Sequence, residues 1–207
     1  MAGWSTHIGM AVCLPQANID TDQLIPARFM SVPRAQGYGR FLLHDMRREE
    51  AGDLKADFPL NAQDGMSVLI AGRNFGSGSS REAAVYALVD SGIRAVFAPS
   101  FGDIFASNAV NNGLLPAQID EATYETLSQT LERRPQTITI DLGARSLQLG
   151  SVGARFSIDD SWALKLINGW DDIDLTRHAR RRRGREACLR PDEAEARGST
   201  ATSWSWS

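Results

Sequence analysis

The sequence predicts an α/β domain. Three observations predict it: strand and helix patterns alternate through the middle of the chain, turn residues punctuate them, and short β patterns crowd together after about residue 136. Strand–helix–strand–helix order implies a parallel core with right-handed crossovers and helices on its faces. The later strands imply an added β layer.

The elements follow in order. Ser67–Ala71 (SVLIA) reads as a short buried strand, bounded by Asp64-Gly65 and Gly72. From Ser80, SREAAVYALVDSG reads as a helix: Ala84, Ala87 and Leu88 share a face, and Gly92 stands where a C-terminal cap is expected. Arg94–Pro99 is a second strand, and Phe101–Asn112 a second helix that stops at Asn112-Gly113. Glu121–Arg133 gives a third helix. Short strands are then expected at Thr137–Asp141, Ser146–Leu149 and Arg155–Ile158.

At 207 residues the chain suits one well-filled domain. A content of 43% hydrophobic and 23% charged residues is that of a soluble globular protein, and a formal net charge of -3 argues against a general polyanion partner. Nucleic-acid binding would need a local patch, and none is expected to decide the function. Cys13 and Cys188 lie far apart without metal-ligand spacing, so no metal site is expected here; two such cysteines fit a reducing compartment. No apolar run approaches the roughly 18 residues that span a bilayer, and no secretory signal is apparent, so the cytoplasm is the expected location.

Composition changes after about residue 178. Arg177–Arg185 holds six arginines in nine residues, and an acidic stretch and GSTATSWSWS follow. Residues 1–178 are therefore expected to form the folded domain, and 179–207 a disordered tail with little to bury.

The segment expected to carry chemistry is Gly72–Glu82, GRNFGSGSSRE, between a buried strand and a helix. Gly76 and Gly78 let the backbone turn tightly and approach a ligand. A helix N-terminus offers free N–H groups and favours negative charge. Ser79 or Ser80 can cap it, and Arg81 adds a planar fork of donors suited to a carboxylate. The segment reads as an anion site, or else as a capped helix whose Arg81 pairs with Glu82 or Glu50. It is not a nucleotide P-loop, because Ser79 rather than lysine follows Gly78, and the dinucleotide fingerprint GxGxxG fails as well.

NFGSGSSRE, together with NIDTDQLIPARFM (Asn18–Met30), APSFGDIFASNAVNNGLLP (Ala98–Pro116) and LINGWDDIDLT (Leu166–Thr176), resembles the small subunits of 3-isopropylmalate dehydratase. The resemblance covers most of residues 8–176. It implies the three-layer β/β/α swivel domain of the aconitase superfamily. It also implies a large-subunit partner carrying a [4Fe-4S] cluster, with no cluster on this chain, and a small hydroxy-dicarboxylate substrate. The implied reaction isomerises 2-isopropylmalate and 3-isopropylmalate by dehydration and rehydration, in leucine biosynthesis.

Residue by residue, the resemblance makes Ser79 the catalytic base and Ser80 and Arg81 ligands of the substrate carboxylate, with Gly78 alongside. Asp22 matches an active-site aspartate within a hydrogen-bond network. The segment after Ile25-Pro26-Ala27 is the family's selector of the substrate side chain, so Arg28, Met30 and Val32 are expected at that pocket; Phe29 fits with them. Arg34 instead suits an extra carboxylate, as a homoaconitate dehydratase would need. A methylmalate (citraconate-type) dehydratase and a non-catalytic anion-binding regulatory module are further alternatives. The family usually shows NFGCGSSREH, and this chain carries Ser77 and Ala83 at the cysteine and histidine positions. Asp103, Asn108, the Asp171-Asp172 pair and the histidines His7, His44 and His178 form no set to which chemistry can be assigned.

Overall fold

The computed structural model describes residues 2–62, 64–78, 80–132, 134–171 and 173–178. The chain divides into two compact units, residues 1–170 and 171–207. In the second, residues 173–178 are helical, and the Asp171 carboxylate accepts the Asp174 N–H at 2.9 Å. The expected tail, 179–207, lies outside the described residues.

The first unit is built on one seven-stranded mixed sheet. Its strands are β1 (Thr6–Leu14), β2 (Met66–Ala71), β3 (Ala95–Ala98), β4 (Leu115–Gln118), β5 (Gln136–Asp141), β6 (Ser146–Leu149) and β7 (Val152–Arg155), in the order β4-β3-β2-β1-β5-β6-β7. β1 to β4 run parallel, and β5 joins β1 antiparallel and leads into an antiparallel meander. The helices are α1 (Thr21–Leu24), α2 (His44–Arg47), α3 (Glu82–Asp90), α4 (Asp103–Asn111), α5 (Glu121–Leu131) and α6 (Asp160–Asn168). No helix among the described residues is long and apolar enough to cross a membrane.

The parallel strands bury both faces, and their side chains alternate between two cores. Val12, Leu14, Leu69, Val96 and Ala98 join one core with α3, α4 and the 19–60 segment. Ala11, Cys13, Val68, Ile70, Ala95 and Phe97 join the other with β5, β6, α5 and α6. A period of two with no polar face is what a covered parallel sheet requires.

The expected β layer exists, but it is no separate sheet. β5–β7 continue the parallel strands through the β1–β5 pair and then curl back over them. Phe97 of β3 lies 5.4 Å from Phe156, just past β7, although about five strand spacings of 4.8 Å would separate them if the sheet were flat. Gln118 of β4 and Ser157 then exchange two backbone hydrogen bonds, of 2.9 and 2.7 Å. That bridge ties one edge of the sheet to the chain leaving the other, where open edges would invite pairing with other chains. It also corrects the strand expected at Arg155–Ile158. The ladder ends at Arg155, and the buried Phe156 and Ile158 belong to the closing segment.

Candidate active site

The carboxyl ends of parallel strands are where an α/β sheet leaves room for a ligand, because the loops there diverge. Three loops meet at this end: residues 15–21 after β1, 72–81 after β2 and 99–102 after β3. Backbone hydrogen bonds fasten the middle one on both sides. Arg73 O accepts from Asn18 N at 2.8 Å, Ile19 O from Gly76 N at 2.7 Å and Ser77 O from Thr21 N at 3.0 Å. On the other flank, Phe75 N donates to Ser100 O at 3.1 Å and Gly102 N to Phe75 O at 3.0 Å. Asn18 and Asn74 both take positive φ, and Asn74 Nδ2 donates to Asn18 Oδ1 at 2.9 Å.

Phe75 roots the loop: it is fully buried, edge-on to Phe105 at 5.4 Å. Gly76 sits over Phe105 at a φ of 72°, and a Cβ there would stand 2.2 Å from the Phe105 ring. Only glycine fits. Gly78, at a φ of 93°, brings bare backbone beside Asp20 and Thr21. The expectation of tight glycine turns holds for both.

Capping differs from the expectation. The helix starts at Glu82, with Arg81 at the N-cap position and no side-chain cap. Ser80 is exposed and outside the helix; Ser79, the expected base, lies outside the described residues. Arg81 does not pair with Glu82 or Glu50. Its Nη1 donates to Asp22 Oδ1 in the first turn of α1, so two expected site residues, 59 positions apart, come together. Asp22 is held at that spot by a capping box, in which Asp20 Oδ1 accepts from Gln23 N at 2.7 Å and Gln23 Oε1 from Asp20 N at 2.9 Å. The spacing Asp20-x-x-Gln23 could have signalled this turn.

At the departures from the usual motif, Ser77 is half-buried and works through its carbonyl, while Ala83 is buried in the core beneath the first turn of α3. Neither change opens the loop. Glu82 is tied from below, because Asn112 Nδ2 donates to its Oε1 at 2.9 Å.

The residues expected at the side-chain pocket, Arg28, Met30 and Val32, lie on the segment between α1 and α2. Met30 is 43% exposed, and Val32 is half-buried against the core. Phe29 stacks on Phe41 at 4.2 Å, so it acts as support. Arg28 forms an ion pair with Asp45, at the end of that support. This pairing and the neighbouring His44 hold the Asp45 carboxyl down at about 2. Arg34 is engaged as well, by both carboxylate oxygens of Asp90 at 2.6 and 2.9 Å.

Among the described residues no three His, Cys, Asp or Glu side chains gather as a metal site would need. Cys13 is buried on β1, where burial pushes its thiol up and Ser128 Oγ lies at 3.2 Å. It does not suit a cluster ligand, which must be a thiolate.

A curled mixed sheet with a glycine-rich loop at the carboxyl end of its parallel strands defines the class. Residues 1–122 match the aconitase C-terminal domain family. Within that class, 3-isopropylmalate dehydratase small subunits are the relatives. That of Shewanella amazonensis is 44% identical over 183 residues, 85% of this chain and 90% of its own. The Shouchella clausii protein is 42% identical over 172 residues, 82% and 87% of the two chains. The chain belongs to the 3-isopropylmalate dehydratase small-subunit family. The crystal structure of 3-isopropylmalate dehydratase from Methanocaldococcus jannaschii shares its fold, with a TM-score of 0.63 at 24% identity, over 87% of this chain and 99% of that one.

Proposed function

We propose that this chain is the small subunit of a hydro-lyase that interconverts 2-isopropylmalate and 3-isopropylmalate by removing and re-adding water, as leucine biosynthesis requires. The observation that carries the reading is identity above 40% to the named small subunits along most of both chains. The loop at the carboxyl end of the sheet supports it.

Arg81 and Ser80 would hold a substrate carboxylate. Asp22 takes the Nη1 side of the Arg81 guanidinium, and a fork of five donors has further N–H groups for a second carboxylate. Gly78 lets the substrate approach the backbone. Ser79 would take the proton from the carbon next to the hydroxyl. Bringing a serine to that role needs its pKa lowered by roughly five units, or about 7 kcal/mol. A helix terminus offers about 2 kcal/mol at best. Arg81, loop amides and exclusion of water must supply the remainder.

That requirement bears on the partner. Asp22, Gly78 and Ser80 are exposed in this chain, so the loop needs a second protein surface to exclude water. A large subunit fits that need. Its [4Fe-4S] cluster would supply a Lewis acid for the hydroxyl. The cytoplasm suits a chain with two cysteines distant in sequence.

An apolar substrate side chain is favoured over an extra carboxylate because Arg34, the cation that would meet one, already holds both carboxylate oxygens of Asp90. Co-expression with a 3-isopropylmalate dehydratase large subunit, followed by anaerobic assay on a panel of hydroxy-diacids, tests the reading. Turnover should be greatest with the isopropyl-substituted acids. Preference for a diacid with a third carboxylate, or no turnover of any, would refute it.

A further inference from the structure

α3 presents an outer face that the site has not yet used. Glu82, Tyr86 and Asp90 follow at intervals of four, so they line up along one side of the helix. The 28–38 segment runs along that side and is tied at its far end. Asp90 takes Arg34 with both oxygens and also accepts the Tyr38 N–H at 2.7 Å. Arg34 lies over the Tyr86 ring, 4.3 Å from its centroid. Tyr38 passes the restraint back, since its hydroxyl donates to the Val32 carbonyl at 2.9 Å. Backbone packing closes the arrangement: a Cβ on Gly39 would stand 2.6 Å from the Asp90 carbonyl carbon.

At its near end the same segment leaves α1, whose Asp22 is paired to Arg81 at the start of α3. Residues 22–38 are thus held at both ends of one helix, about 12 Å apart by helical rise, and 28–38 form the strap between. A lone exposed ion pair would fix little. This one is bidentate, stacked on an aromatic ring and backed by a main-chain N–H, and such a combination has one geometry.

We propose that Asp90 is a positioning residue for substrate selectivity: through Arg34 and the Tyr38 amide it holds the strap that carries Met30 and Val32, and so sets the width of the pocket for the substrate side chain. The inference rests on the reading that those two residues line that pocket. Asp90 touches no substrate, and its loss leaves Ser80 and Arg81 in place.

The test uses the reconstituted complex with its large subunit, in wild-type, Asp90→Ala, Asp90→Asn and Arg34→Lys forms. Steady-state rates are measured on 3-isopropylmalate and on the methyl-substituted malate, with thermal melts alongside. Asp90→Ala should raise KM for 3-isopropylmalate about tenfold and leave kcat within about threefold. The preference for isopropyl over methyl in kcat/KM should shrink by about the same tenfold factor. Asp90→Asn keeps an acceptor for Tyr38 N–H and should fall between, as should Arg34→Lys. If Asp90→Ala does not fold, these two variants carry the same readout. An unchanged preference overturns the proposal, and so does a loss of kcat at constant preference. Should the wild-type complex favour another pair of malates, the functional reading fails, and Asp90 is judged by the preference within that pair.

Discussion

Residues 73–78, the proposed anion loop, and residues 28–38, the proposed selector strap, are held by different means. Residues 73–78 are fixed by main-chain hydrogen bonds to the loops on either side and by one buried ring, Phe75. Residues 28–38 rest on the core through Phe29, Val32 and Tyr38 and are tied down by charged side chains, Arg28 to Asp45 and Arg34 to Asp90. A loop held through its backbone keeps its shape whatever most of its side chains are, and fails only where a special conformation or a root is lost. A strap held by side chains can be moved by single substitutions and answers to acid and salt. Under the proposed roles, chemistry is placed on a rigid frame and side-chain selectivity on an adjustable one.

The largest effect should come from the loop's chemistry. Ser79→Ala is expected to lower kcat of the complex by roughly 10³-fold with KM little changed, since it removes the proposed base and leaves the proposed carboxylate ligands Ser80 and Arg81. Retention of more than about a tenth of kcat would move the role to Ser80 or to a large-subunit residue. Gly76→Ala attacks the frame instead. A methyl group at positive φ against Phe105 should destabilise the domain by about 2–4 kcal/mol, seen as a melting temperature lower by about 5–10 °C. A melt unchanged within about 2 °C would mean that the backbone frame is more yielding than the comparison holds.

Arg81→Lys should act more gently. It keeps the charge toward Asp22 but loses the planar fork, so KM should rise roughly tenfold and kcat should fall, with the melt unaltered. If KM stayed constant, the carboxylate would have to be bound elsewhere.

The smallest effect should come from the strap's outer pair. Asp45 is held at about 2, chiefly by its hydrogen bond from Arg28, below the unfolded value near 3.9. Its contribution is whole above about pH 4 and is lost as pH falls through about 2. Both side chains are more than half exposed, so water screens most of it. Asp45→Asn should therefore shift the melt at pH 7 by no more than about 2 °C, and the difference from wild type should vanish near pH 2. A large shift at neutral pH would show that the strap is stiffer than an exposed ion pair allows.

The sequence by itself determined the parts that depend on neighbours along the chain. The strand at Met66–Ala71, α3, α4, α5 and the loop rich in glycine and serine were all legible, because their apolar periods, turn residues and helix stops are local signals. α6 carries local signals as well. Asp159 accepts from Ser161 N and Trp162 N ahead of it, and Gly169 closes it in the left-handed region. β1 was hidden for a physical reason: its first half is half-buried beside β5 and its second half fully buried beside β2, so no single period runs through it. What only the tertiary structure decided is who meets whom across the sheet. Arg81 finds Asp22 and not Glu82 or Glu50, Arg34 finds Asp90 56 residues away, and Ser157 closes on Gln118. Charged side chains carry no period that names a partner. Their pairing follows from the loops that the strands deliver to the same end of the sheet, and that delivery is a property of the fold.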